Sequence, residues 1–163
     1  MTGRFEMTRT IPADTSAIFE VLCDPQGHVA IDSSGMLMSA SGSPVRAVGD
    51  GFDVQMCRDA LNDIALGRYE VTVRITEFEK DGAIGWTVES PTVDVPTNHF
   101  FGYRLSPVEG GTDVTAWYDW SEVNPIWIDR QVPVGTIRWP VIPEASIRAT
   151  LGILERTVVN KTT

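Results

Sequence analysis

The sequence predicts an α+β fold in which one antiparallel sheet carries a long helix near the end of the chain, and three observations lead there. The stretch from Pro143 to Val159 sets Ile147, Leu151, Leu154 and Val158 at helical spacing, with Arg148, Glu155 and Arg156 on or near the other side. Such a helix has one dry face and needs a large surface to lie on. From Gly35 onward, short alternating runs are separated by Gly, Asp, Pro and Ser, which is the punctuation of an antiparallel sheet. Between the first alternating run and those later ones, a pair of short helical patterns intervenes.

Taken in order, Phe5, Met7, Arg9 and Ile11 alternate with Arg4, Glu6 and Thr8, giving a first strand with one wet face that Pro12 ends. Asp14 is a candidate N-cap for a helix running through Leu22, with Ala17, Ile18, Val21 and Leu22 on its buried face. Pro25 breaks that helix, and a second one follows over Gln26 to Ile31. Strands are expected at about Met36 to Ser41, Phe52 to Arg58, Arg68 to Phe78, Ile84 to Ser90, Asn98 to Leu105 and Asp113 to Ser121. Asp81-Gly82 and Gly110-Gly111 supply hairpin turns. In the long strand Tyr69, Val71, Val73 and Ile75 face in while Glu70, Thr72, Arg74 and Thr76 face out. The same parity turns Ile84, Trp86 and Val88 inward, then Phe101, Tyr103 and Leu105, then Val114, Ala116, Tyr118 and Trp120. Residues Asn124 to Pro140 hold too much proline for a regular element and too many apolar side chains for a solvated linker. This segment is expected to fold over an opening, with Ile126, Trp127 and Trp139 as apolar cover. Gly152 interrupts the long helix at a cost of about 1 kcal/mol relative to Ala, which suggests close packing on a strand.

The chain of 163 residues is read as a single domain, 1–163, with 42% hydrophobic residues and room for a proper core. A formal charge of -9 argues against a nucleic-acid partner, because binding a phosphate backbone rests on Lys and Arg. Cys23 and Cys57 are far apart and unclustered, so they indicate neither a disulfide framework nor a thiolate metal site. The polar start of the chain and the lack of a long apolar run give the expectation of a cytoplasmic protein without stable membrane insertion. Monomer and homodimer both remain open.

With this order of strand, two helices, six strands and a long helix, the chain resembles the polyketide cyclase/dehydrase and lipid-transport family, a branch of the START-like superfamily also called SRPBCC. The resemblance is carried by Ile11-Pro-Ala-Asp-Thr-Ser-Ala-Ile-Phe19; Asp24-Pro25 with His28, Ile31-Asp32 and Ser34-Gly35; Val48-Gly49-Asp50 with Phe52; and Thr76-Glu77-Phe78-Glu79. Tyr103-Arg-Leu105, Gly110-Gly-Thr112 with Val114, and Asp119-Trp120-Ser121 complete it, so that it spans nearly the whole chain. It implies a helix-grip fold: a curved seven-stranded antiparallel sheet wrapped around the long C-terminal helix, two short helices between the first two strands, and an apolar cavity between sheet and helix. The proline-rich Asn124 to Pro140 segment departs from commoner members.

For chemistry, the aromatic inward rows offer flat apolar area with hydroxyl and N–H groups to orient a ligand, or alternatively a filled core. Given the cavity that the resemblance implies, the expected lining is Met56, Tyr69, Val71, Trp86, Phe101, Tyr103, Tyr118, Trp120, Ile147 and Leu151. Catalytic candidates are His99 as a general base, Tyr103, and Arg58 if it faces inward to hold a carboxylate or enolate. Against these stand a hydrogen-bonded structural histidine and a solvated rim arginine. His28 and Asp32 share one side of a helical turn, read as capping or local hydrogen bonding because a third metal ligand is lacking. No carboxylate dyad, nucleophile elbow or phosphate-cradling glycine loop is present, and neither a metal nor a cofactor is expected. The leading expectation is a binder of a small apolar molecule such as a lipid, a polyketide or an aromatic metabolite. The alternatives are a polyketide aromatase/cyclase or dehydratase, and a protein-interaction module.

Overall fold

The computed structural model describes residues 3–63, 66–124 and 138–160. Strand β1 (Arg4–Ile11) leads into α1 (Thr15–Cys23) and α2 (Pro25–Ile31), and the chain then runs through β2 (Leu37–Ser41), β3 (Gly51–Cys57), β4 (Arg68–Glu79), β5 (Ala83–Glu89), β6 (Phe100–Val108) and β7 (Gly111–Asp119) to α3 (Glu144–Asn160). All neighbouring strands are antiparallel, in the order β1-β7-β6-β5-β4-β3-β2. The sheet is therefore a meander from β2 to β7, with β1 returning to close the far edge beside β7.

The two short helices owe their break to Asp24-Pro25. Proline lacks the N–H that would continue α1 but suits the first turn of a helix, so Pro25 opens α2 rather than merely ending α1. The Asp24 carboxylate accepts from the Gln26 N–H at 2.9 Å and caps α2. Asp14 takes the N-cap position of α1, but its side chain makes no capping bond; its carbonyl accepts from the Ile18 N–H instead.

Alternation along the strands sets the core. Val54, Val71, Val73, Ile75, Ile84, Tyr103, Leu105, Val114, Ala116 and Tyr118 are buried on the inner face. A bulge in β4, where the pairing shifts between Ile75 opposite Trp86 and Glu77 opposite Gly85, reverses the parity beyond it. Phe78 consequently points inward and meets Phe19 of α1 edge-on at 5.4 Å. On the outer face, simple parity puts Trp117 in water, yet it is buried because Gly85 and Gly102 leave a trough for its indole. A Cβ on Gly102 would stand 2.4 Å from Trp117 Cζ2. The Arg4 guanidinium covers the same ring at 4.8 Å.

Helix α3 lies against β1, β7, α1 and α2. Leu151, Leu154 and Val158 are buried at one-turn spacing, and each contributes about 1.5–3 kcal/mol by leaving water. Arg9, the one charged residue on the inner parity of β1, pairs with Glu155 at the helix margin. Gly152 faces this pair rather than a strand backbone, and the nearest atom to a Cβ placed there is Arg9 Nη1 at 3.8 Å. The close approach expected at this glycine is therefore not found.

Candidate functional site

One stripe residue of α3, Ile147, is only partly buried, and the space in front of it is a cavity of about 150 Å³ between the sheet and the first turns of the helix. Its floor is Val54 and Met56 of β3 and Val71 and Val73 of β4, and its flank is Trp86 and Val88 of β5 with Phe101 and Tyr103 of β6. Ile31, Met36, Ile142 and Ile147 complete the apolar part.

The remaining wall is polar and comes from the turn after α2. Asp32 Oδ1 accepts from the Ser34 N–H at 3.0 Å and the Ser34 hydroxyl at 2.7 Å, while Oδ2 accepts from the Leu37 N–H at 3.1 Å. The carboxylate thus organises the passage from α2 into β2. Ser33 donates to the Ser146 carbonyl at 2.6 Å and receives the Thr150 hydroxyl at 3.0 Å, which ties this turn to the start of α3. Asp32, Ser33, Ser34, Ser146 and Thr150 all line the cavity and are all partly exposed, so the wet end and the polar end coincide.

His28 stands on the buried side of α2 and lines the same cavity. Its Nε2 is 2.8 Å from the Leu22 carbonyl, an acceptor only, so Nε2 carries the proton and donates. The ring meets Phe52 and Trp86 edge-on, at 5.0 and 4.9 Å. Burial lowers its pKa, so the imidazole is neutral near pH 7.

Of the side chains expected on the lining, Met56, Val71, Trp86, Phe101, Tyr103 and Ile147 stand on the wall, whereas Tyr69, Tyr118, Trp120 and Leu151 are not among its described residues. Tyr118 is fully buried and stacked on Phe101 at 4.3 Å, and Trp120 packs on Phe5 and Tyr118 at 5.2 and 5.1 Å. Leu151 belongs to the core beneath α3, and Tyr69 packs at the margin of that core beside Met56. Tyr118 and Leu151 thus belong to the packed core, and Tyr69 and Trp120 are partly buried.

Two of the three catalytic candidates are engaged elsewhere. His99 is buried, shares a 3.0 Å hydrogen bond with the Tyr118 hydroxyl and meets Trp139 edge-on at 5.4 Å. Burial pushes its pKa down to about 4. Arg58 is buried too, but its Nε and Nη2 form a two-point pair with Asp63 at 2.8 and 2.7 Å, and Nη2 also donates to the Val141 carbonyl at 2.8 Å. It clasps the end of β3 to the segment before α3, leaving the carboxylate-binding edge of the guanidinium occupied. Tyr103 alone of the three reaches the cavity.

Among the described residues no group of three or more His, Cys, Asp or Glu stands close enough to hold a metal ion. Nor is any helix among them long and apolar enough to cross a membrane. Of the Asn124 to Pro140 segment expected to fold over an opening, residues 125–137, with Ile126 and Trp127, lie outside the described residues, and Trp139 is partly buried against His99. Sequence reading missed Val54, Val73, Val88 and the polar set Asp32, Ser33, Ser34, Ser146 and Thr150. A signal existed for the last pair, since Ser146 and Thr150 are four apart and flank Ile147 on one helical face.

No protein-family model matches the sequence, and a comparison with curated proteins finds no match. Similarity appears in three dimensions. Protein CV1439 from Chromobacterium violaceum has a TM-score of 0.66 at 15% identity, over 97% of this chain and 98% of that one. An AHSA1-like protein from Aeromonas hydrophila has 0.60 at 14%, over 98% and 94%. Ara h 8.0201 has 0.59 at 12%, over 96% and 97%. The seven-stranded antiparallel sheet, the helix pair inserted after β1 and the long C-terminal helix, together with the likeness to these structures along nearly the whole chain, give this protein a helix-grip fold.

Proposed function

We propose that the protein binds a small, predominantly apolar molecule in the cavity between β3–β6 and the start of α3. The observation that supports this most directly is the cavity itself. Interiors normally fill to crystal-like density, and here about 150 Å³ stays open in front of Trp86, Val71 and Ile147 beside an otherwise packed core. A space lined this way stabilises an apolar guest by removing its surface from water. The fold neighbours support a scaffold of this shape; the ligand is argued from this chain's own residues.

Binding is preferred to cyclase or dehydratase chemistry because His99 and Arg58 are committed to Tyr118 and Asp63. The -9 charge disfavours nucleic acid. Two free cysteines, one with its thiol pKa raised to about 11 by burial, suit a reducing cytoplasmic setting.

Native mass spectrometry of freshly purified protein tests the reading. A co-purified small molecule, displaced in the Val71→Trp variant that fills the cavity, is the expected result. A bound polypeptide with no small molecule would favour an interaction module instead.

A further inference from the structure

We infer that the ligand is a neutral molecule the size of a single ring, bearing a hydroxyl group that sits between the Tyr103 hydroxyl and the Asp32 carboxylate. The inference rests on the binding reading above and narrows its substrate class.

Tyr103 is only 6% exposed, yet its hydroxyl is not among the fully buried unpaired atoms and makes no hydrogen bond to any described residue, so it is an unpartnered hydroxyl that reaches accessible space on a residue of the cavity wall. A hydroxyl that reaches accessible space with no protein partner is open to bond water or a guest that takes the water's place. Tyr103 stands on the cavity wall, as does Asp32 opposite the sheet, so a guest in the cavity meets both. Burial, and secondarily the charge of Asp32, push the Tyr103 pKa upward, so the phenol stays protonated and able to donate. Asp32 is held in place by Ser34 and Leu37 and can accept a further bond through its remaining lone pairs. A donor on one side and an acceptor on the other suit a hydroxyl, which accepts and donates at once.

Other head groups fit less well. No Lys or Arg lines the described cavity, and Asp32 repels a carboxylate. An ammonium gains Asp32 but must give up its water against Val71, Val73, Val88 and Ile147, an apolar wall that offers it nothing. Size decides the rest: a dry apolar cavity of about 150 Å³ is known to accept benzene, and the volume here is about 150 Å³. A lipid chain or a fused polycycle exceeds it.

Isothermal titration of the full chain with p-cresol and p-xylene, which differ by a hydroxyl in place of a methyl, reads the inference directly. Wild-type protein is expected to bind p-cresol about five- to tenfold more tightly, the worth of a net hydrogen bond. In Tyr103→Phe, checked for an unchanged melting curve, that preference should shrink to about twofold or less while p-xylene binding persists. Equal binding of the two compounds by wild type, an undiminished preference in Tyr103→Phe, or tighter binding of benzoate or benzylamine would each overturn it. If none of the one-ring compounds binds but 1-aminoanthracene does, this inference fails and the broader binding reading stands. If 1-aminoanthracene fails to bind as well, both fall.

Discussion

Two ends of one sheet face treat their inward side chains differently. Toward β1, β7 and β6, rings meet rings: Phe101 stacks on Tyr118 at 4.3 Å, Phe5 meets Tyr118 edge-on at 5.8 Å, and Trp120 leans on both Phe5 and Tyr118. Toward β3, β4 and β5, the corresponding positions are Val54, Val71, Val73 and Val88, and the space above them is open. A flat ring reaches its neighbour across the sheet and fills the gap, whereas a valine is too short to meet a helix lying over the other edge. Ring packing around Tyr118 therefore marks the filled end, and the run of valines, bordered by the rings of Trp86, Phe101 and Tyr103, marks the cavity. Phe101 belongs to both, with one neighbour in Tyr118 and the other in Trp86 at the cavity wall.

The largest effect that can break this comparison is truncation at the filled end. Tyr118→Ala is expected to cost about 3–5 kcal/mol, as for other large aromatic deletions in cores, and Leu154→Ala beneath α3 about 2–5 kcal/mol. Urea midpoints measure both. A loss below about 0.5 kcal/mol at either site, the range usual for surface positions, would mean that this end is not packed as described.

Acid sharpens the comparison next, because each end holds one buried histidine. A histidine whose folded pKa lies below its unfolded value is neutral when folded and takes up a proton more readily when unfolded. Stability is then fully present above the unfolded value of about 6.5 and is lost as pH falls toward the folded value. For His99, whose folded pKa is about 4, the loss between pH 7 and 5 should be about 2 kcal/mol, and His28 adds a loss of the same sign. This window lies above the carboxylate range, so denaturant unfolding at pH 7, 6 and 5 isolates the histidines. His99→Gln should flatten the curve by about one proton; an unchanged curve would show that His99 is not held neutral by burial.

A smaller effect is expected where space already exists. Val73→Leu at the cavity floor adds volume into the void and should change stability by less than about 1.5 kcal/mol in either direction, while weakening binding of one-ring compounds. If it destabilises as much as Tyr118→Ala, the two ends are equally packed and the contrast is lost.

Most of the architecture was legible because periodicity carries it: the stripe of α3, the alternation of β4 and the turns at Asp81-Gly82 and Gly110-Gly111 each show in local spacing. What escaped was set by neighbours distant in sequence. The β4 bulge that turns Phe78 inward depends on how β5 pairs with it, and the burial of Trp117 depends on two glycines on adjoining strands. Parity located the sheet face but could not say which inward residues touch one another, so Tyr118 and Trp120 were read as lining. The polar end was hidden for a similar reason. Asp32 and Ser33 look like turn residues, and only the fold brings Ser146 and Thr150 against them.

The smallest expected effect concerns Gly152, where close packing predicted from sequence met open space. A glycine inside a helix gives up more backbone freedom on folding than alanine, a difference of about 1 kcal/mol. That cost would be retained if a Cβ collided with the sheet, but the nearest atom would be Arg9 Nη1 at 3.8 Å, an ordinary contact with the end of a flexible side chain. Gly152→Ala should therefore stabilise the protein by about 0.5–1 kcal/mol, through the unfolded chain more than through any new contact. Thermal and urea unfolding of the variant measure the change. A loss of stability instead would mean that α3 lies closer to β1 than the Arg9 and Glu155 pair allows, and the packed end of the molecule would then extend along the whole helix.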